Sequence, residues 1–352
     1  MSEETEAKCS TQSLPEQGAV SVESFHLPPS GFLHEHTLPR LLQLRQAEAQ
    51  HTEAMPAAVD IRYAPREQLP AIRQQEREAF YASPMYTSLK AHCPTTVTEA
   101  VVAGVGTETF LPPQGVKADK RQQVLINLHG GGFLGGSRTS SHYESMPIAA
   151  LGQYKVVSVD YRMAPEHKFP AASDDVLAVY RQLLKDYAPE AIGIYGSSAG
   201  ALLTAQALAR FQAEGLPVPG AVAMLAAGAF YWMEGDSGPI GCAVTGLSCE
   251  DYQLEQDVYF KGVNPNNPLA FPGRCDATLS RFPPSLLIAS IRDFALSSVV
   301  TTHNRLVKQG VEADLHLWDG LDHVFYGNPE LSESREVYEL VVRFFDRHLK
   351  SC

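Results

Sequence analysis

Two short stretches of the sequence hold a nucleophile and an anion cradle at the spacing that acyl-transfer chemistry needs. GSSAG (196–200) places Ser198 between glycines, directly after the apolar run AIGIY and before the helix-like AGALLTAQALARF. A serine lifted onto a sharp strand-to-helix turn exposes its Oγ, and flanking glycines tolerate the strained backbone. The G-x-S-x-G spacing assigns the nucleophile to Ser198, with Ser197 at the variable position. HGGGF (129–133) closes a second apolar run, QQVLINL. Its successive glycines leave N–H groups open to a developing oxyanion, each donor being worth roughly 3–4 kcal/mol in such a site. Gly131 and Gly132 are the expected donors, joined by Ala199, the residue after the nucleophile. A phosphate loop would need a GK[ST] ending, which neither HGGGF nor GGFLGGS has.

A serine nucleophile needs a base, and the base needs an orienting acid. In the α/β-hydrolase arrangement, which the GSSAG elbow resembles, the chain order is Ser, then Asp or Glu, then His, each at the end of a later strand. Asp293 follows the strand-like PSLLIASI, and His323 lies in the loop after ADLHLW. Asp319 and Asp322 compete for the acid role, but they share a loop with His323. An acid from a neighbouring strand approaches Nδ1 from the correct side, which favours Asp293. The remaining histidines read as structural. His303 falls inside a helix, His316 inside a strand, and His348 near a helix C-terminus, where a cation is favourable. His34 and His36 form HEH, which lacks the HExxH spacing of a helical metal pair, so no metal site is expected.

The elements that must position these groups follow a strand–helix alternation. TVTEAVVAG and GTETFLPP read as two strands around a glycine turn, and QQVLINLHG (122–130) as a short buried strand. KVVSVDYR (155–162), AIGIYGSS, AVAMLA, PSLLIASI (284–291) and ADLHLW (313–318) continue the strand series. Helices are expected over 173–187, with Ser173 as N-cap, and over 199–211, 297–309 and 333–349. Such alternation implies an α/β fold, a mostly parallel sheet covered by helices on both faces. Upstream, 37–51 and 66–81 are helical in pattern. Residues 231–270 break the rhythm and read as a lid or part of a cap.

The chain has 352 residues with 44% hydrophobic and 19% charged, a globular balance that excludes a mainly disordered protein. Lys+Arg 28 against Asp+Glu 40 gives a net charge of −12, which argues against nucleic acid and anionic membrane as partners. Cys9, Cys93, Cys242, Cys249, Cys275 and Cys352 contain no CxxC pair, which disfavours a structural zinc site. The acidic start lacks the apolar core of a secretion signal. AVAMLAAGAFYWM (221–233) is too short for a membrane span of roughly 20 residues. A soluble, reduced, cytoplasmic protein is expected.

HGGGF, DYRMAPEHKFPAA (160–172), GSSAG, the pair Arg292–Asp293 and the pair Asp322–His323 occur in the order of a known family. Together they resemble the hormone-sensitive-lipase-like esterases of the α/β-hydrolase superfamily, over about 95–349. NPLAFP (267–272) is similar to the segment that family places before its penultimate core strand. The resemblance implies an eight-stranded α/β-hydrolase sheet, a Ser-Asp-His triad, no cofactor, and a cap of N-terminal helices plus an insertion after the sixth strand. The implied division is a polar tail (1–25), a cap (26–92 with 231–268) and a catalytic domain (93–230 with 269–352). Arg162 and Glu166 look like scaffold residues that brace the oxyanion loop. The chain departs from the family pattern at Ser197, Ala201, Met163, Lys168 and Ser297–Ser298, changes that leave the triad residues themselves in place.

The expected reaction is hydrolysis of short- to medium-chain carboxylic esters, a small-molecule substrate class. Phe133, Leu134, Phe230 and Trp232, with Tyr231, are candidates for an apolar acyl pocket. A lactone or activated amide would suit the same machinery. The resemblance also implies the alternative of a non-catalytic ligand receptor, which in that family replaces the histidine that His323 supplies here. A homodimer is compatible with the family.

Overall fold

The apolar runs form strands whose side chains are covered on both sides. In the computed structural model, which describes residues 26–54 and 60–350, β1 (Thr96–Val102) and β2 (Val105–Leu111) form an antiparallel hairpin. Then come β3 (Val124–Leu128), β4 (Val156–Val159), β5 (Ile192–Ser197), β6 (Ala221–Leu225), β7 (Ser285–Ser290) and β8 (Ala313–Trp318). The eight strands lie in the order β1-β2-β4-β3-β5-β6-β7-β8, with β3 to β8 parallel. Every residue of β3, β4, β5, β6 and β7 is buried, as a parallel sheet with both faces covered requires. Expected and observed architecture agree. The polar tail expected over 1–25 lies outside the described residues. Among the described residues no helix is long and apolar enough to cross a membrane.

The helices are α1 (Thr37–Ala54), α2 (Leu69–Ala82), α3 (Pro84–His92), α4 (Ser140–Gly152), α5 (Ala171–Leu183) and α6 (Ala199–Ala213). They continue with α7 (Ser237–Thr245), the single turn α8 (Asp276–Leu279), α9 (Leu296–Lys308) and α10 (Ser332–His348). Alternate strand residues face opposite layers. Val124, Ile126 and Leu128 of β3 pack with α5 and α6, whereas Leu125 packs with α4 and α10. The long insertion 231–270 contains α7.

Four helices have no counterpart among those expected from the sequence: α3, α4, α7 and the single turn α8. α3 begins at Pro84, and the Ser83 hydroxyl caps it by accepting from Tyr86 N at 3.1 Å, a Ser-Pro start signal. α4 carries Pro147 in its interior and starts on polar residues, yet Met146, Ile148 and Ala149 are buried, so packing overrides propensity. One cap expectation is corrected. α5 starts at Ala171, so Ser173 lies inside the first turn, where its hydroxyl donates to Pro170 C=O at 2.8 Å.

Candidate active site

Ser198 sits at the C-terminal end of β5, where the chain turns into α6. Its φ of 54° and ψ of −119° belong to a region non-glycine residues seldom occupy. Glycines make the turn fit. A Cβ on Gly200 would lie 1.7 Å from Leu128 C=O, and one on Gly196 2.2 Å from Gly200 C=O. The half-buried Oγ that results lies 2.9 Å from His323 Nε2. His323 reaches it from the loop after β8, with its ring 4.2 Å from that of Phe294. Its Nδ1 lies 2.8 Å from Asp293 Oδ1, at the end of β7. The three residues that sequence order had singled out thus form one hydrogen-bonded line, and Asp293 is the acid on His323.

Asp293 is 1% exposed, and its Oδ1 also accepts from Ala295 N at 2.8 Å. Its Oδ2 is buried with no hydrogen-bond partner among the described residues. Facing an imidazole whose Nε2 must accept from a serine hydroxyl, Oδ1 accepts from Nδ1–H, which sets the tautomer.

Gly131 and Gly132 line the pocket beside Ser198, and Ala199 is fully buried at the start of α6. Their loop is anchored at its entrance. Gly130 N donates to Glu144 Oε1 at 2.9 Å, and Asn127 Nδ2 to Glu144 Oε2 at 2.8 Å. Ser158 Oγ in turn donates to Asn127 Oδ1 at 2.7 Å. His129 Nδ1 donates to Gly130 C=O at 2.9 Å, and its ring stacks on Tyr161 at 4.1 Å. Burial pushes the His129 imidazole below its ordinary value, so it stays neutral. Behind Ser198, Tyr326 OH and Ser197 Oγ are hydrogen-bonded at 2.5 Å.

Glu144 is a buried acid with no ion-pair partner among the described residues, and burial pushes its carboxyl up to about 8 against the pull of Asn127 and Gly130. For an acid raised on folding, the stability is complete below the unfolded value and is lost as pH rises towards the folded one. Glu144→Gln should therefore gain stability relative to the wild type as pH is raised from about 5 to 9, because an amide has no charge to bury. Urea denaturation at several pH values measures the gap; a gap independent of pH would contradict this.

The cavity over Ser198 has a volume of about 440 Å³, within the range of small-molecule sites. Leu134, Tyr231 and Trp232 line it, as the sequence suggested, together with Tyr143, Phe294 and Val324, which it did not. Arg62 and Tyr252 line it too, with the guanidinium 5.7 Å from the Tyr252 ring centroid. Asp257 lies in the wall, accepting from Tyr259 N and Phe260 N at 2.8 and 3.0 Å. Two expectations are corrected. Phe133 is a core residue stacked on Tyr259 at 4.2 Å, and Phe230 packs away from the cavity between Arg274 and Arg305. Arg162 and Glu166 take different partners. Arg162 Nε bonds Asp175 at 2.9 and 3.0 Å, while Glu166 takes Arg73 of α2. These partners come from distant segments and left no local mark in the sequence.

The family model described as the alpha/beta hydrolase fold matches residues 125–327. The crystal structure of an esterase from the bacterial hormone-sensitive lipase family superposes with a TM-score of 0.71 at 29% identity, over 82% of this chain and 96% of that one. The chain belongs to the hormone-sensitive-lipase-like esterases of the α/β-hydrolase family. Another solved esterase, E25, is similar over 94% of this esterase and 99% of its own chain, with a TM-score of 0.78 and 28% identity. An acetyl-hydrolase of Streptomyces hygroscopicus is 30% identical over 225 residues, 63% of this chain and 75% of that protein. A tuliposide A-converting enzyme of Tulipa gesneriana is 27% identical over 270 residues, 68% of each.

Proposed function

We propose that this esterase is a serine carboxylesterase for short- to medium-chain carboxylic esters, working through an acyl-enzyme on Ser198. The observation that carries the proposal is the line from Ser198 Oγ through His323 to Asp293, with both hydrogen bonds at 2.8–2.9 Å. His323 Nε2 takes the hydroxyl proton as Oγ attacks the ester carbonyl. The carbonyl oxygen, now negative, moves onto the N–H groups of Gly131, Gly132 and Ala199. The imidazolium then protonates the departing alcohol. Water repeats the sequence on the acyl-enzyme, and Asp293 stabilises the charged imidazole throughout. All of these steps use groups of the chain, with no cofactor. Helices α1–α3 and the insertion 231–268 act as the cap, which accounts for Arg62, Tyr252 and Asp257 in the cavity wall. The free thiols of Cys93, Cys242, Cys249 and Cys275 fit a cytoplasmic enzyme.

The cavity size and its apolar walls favour a short acyl group, and the likeness to an acetyl-hydrolase supports the same choice. Across p-nitrophenyl esters from acetyl to dodecanoyl, kcat/KM should peak at acetyl to hexanoyl and fall for dodecanoyl. Trp232→Ala should move the peak to longer chains, because the indole is 7% exposed and stands in the wall. A flat series, or a peak that Trp232→Ala leaves in place, would contradict the assignment of that wall.

A further inference from the structure

The loop that carries Gly131 and Gly132 must hold its N–H groups still, and its exit is held by a residue from far upstream. Leu134 N and Gly135 N both donate to Gly131 C=O, at 2.9 and 3.1 Å. The peptide unit is planar and trans, so a carbonyl fixed on one side aims the N–H of the next residue, Gly132, to the other. The Leu134 carbonyl is itself taken by a guanidinium. Arg73 of α2 donates both Nε and Nη2 to it at 3.2 Å.

The same guanidinium ties down the rest of the exit. Nη2 donates to Ala164 C=O at 2.9 Å, and Ala164 N donates to Phe133 C=O at 2.8 Å. Glu166 closes the arrangement, accepting from Nη1 at 2.5 Å and Nη2 at 2.9 Å. Burial opposes ionisation of Glu166, yet the bonds from Arg73 hold its carboxyl below the usual value. The planar guanidinium serves two carbonyls and a carboxylate in fixed directions; the compact ammonium of lysine does not reproduce that fork.

We propose that Arg73 is a positioning residue of the esterase, setting the Gly132 N–H through the Leu134 and Gly131 carbonyls. Helix α2 then helps to set the rate of the chemistry. This rests on the serine-esterase mechanism above, in which Gly132 receives the oxyanion.

The test uses the full chain with p-nitrophenyl butyrate as substrate and an alkyl boronic acid as inhibitor. The boronate's tetrahedral adduct on Ser198 puts an oxygen where the oxyanion develops. Loss of a whole oxyanion donor costs about 10²–10³ in kcat, so a displaced one should cost Arg73→Gln about tenfold or more. KM should change little, and the boronate inhibition constant should rise by the factor that kcat/KM falls. Arg73→Lys, which keeps the charge opposite Glu166, should melt near the wild type and still show the kinetic loss. A folded Arg73→Gln with wild-type kcat and boronate affinity overturns the proposal, as does full recovery in Arg73→Lys; if Arg73→Gln does not fold, Arg73→Lys decides alone. Ser198→Ala is assayed in parallel. Wild-type turnover in that variant refutes the mechanism and the Arg73 assignment with it, whereas an inactive Ser198→Ala beside a kinetically normal Arg73 variant refutes Arg73 alone.

Discussion

Ser198→Ala should lower kcat on p-nitrophenyl butyrate by on the order of 10⁵–10⁶-fold, the loss seen when a triad nucleophile is removed from a serine hydrolase. The substitution deletes the Oγ that the proposed mechanism acylates, and leaves His323 without its 2.9 Å partner. Folding should barely change. Alanine carries the same Cβ as serine at φ 54°, so the strain of the elbow is neither relieved nor increased, and among the described residues Oγ bonds only His323. Substrate binding should persist, since the N–H donors and the cavity wall remain. Stopped assays at high enzyme concentration, with melting curves for both proteins, measure the loss. Turnover at the wild-type level would remove Ser198 from the mechanism.

The second large effect concerns the acid. Asp293→Ala should cost about 10⁴-fold in kcat, because it removes both the orientation of the imidazole and the charge opposite the imidazolium. Asp293→Asn should be milder than Asp293→Ala. Only Oδ1 is engaged, by His323 Nδ1 and Ala295 N, while Oδ2 has no partner among the described residues. An amide that keeps its oxygen at the Oδ1 position retains the tautomer and loses the charge alone. The difference between the two variants therefore separates orientation from electrostatics. If both kept near-wild-type rates while Asp322→Asn lost activity, the acid would be Asp322.

Much of this site was legible in the chain itself. GSSAG, HGGGF, Asp293 and His323 each follow an apolar run, and those runs form β5, β3, β7 and β8. Strand-to-helix turns, glycine-dependent backbone and the order of motifs are local properties. A handful of neighbouring residues encodes them, so Gly200 and Gly196 could be read as an elbow before any contact was known. The same holds for the fully buried strands, whose nearly continuous apolar runs announce a parallel sheet.

Tertiary structure decided the partners. Arg73 and Leu134 are 61 residues apart, Ser197 and Tyr326 are 129 apart, and Gly130 meets Glu144 across 14. Nothing in the local spacing of those residues favours one partner over another. The choice among Asp293, Asp319 and Asp322 likewise became a matter of distance, and the fate of Phe133 and Phe230 a matter of which way each side chain leaves its backbone. Sequence by itself determined which chemistry the chain can perform and along which strands its parts are hung, because periodicity, turns and motif order are local. Which groups hold those parts at reacting distance was settled only by packing, because a hydrogen bond depends on positions in space that distant segments share once folded.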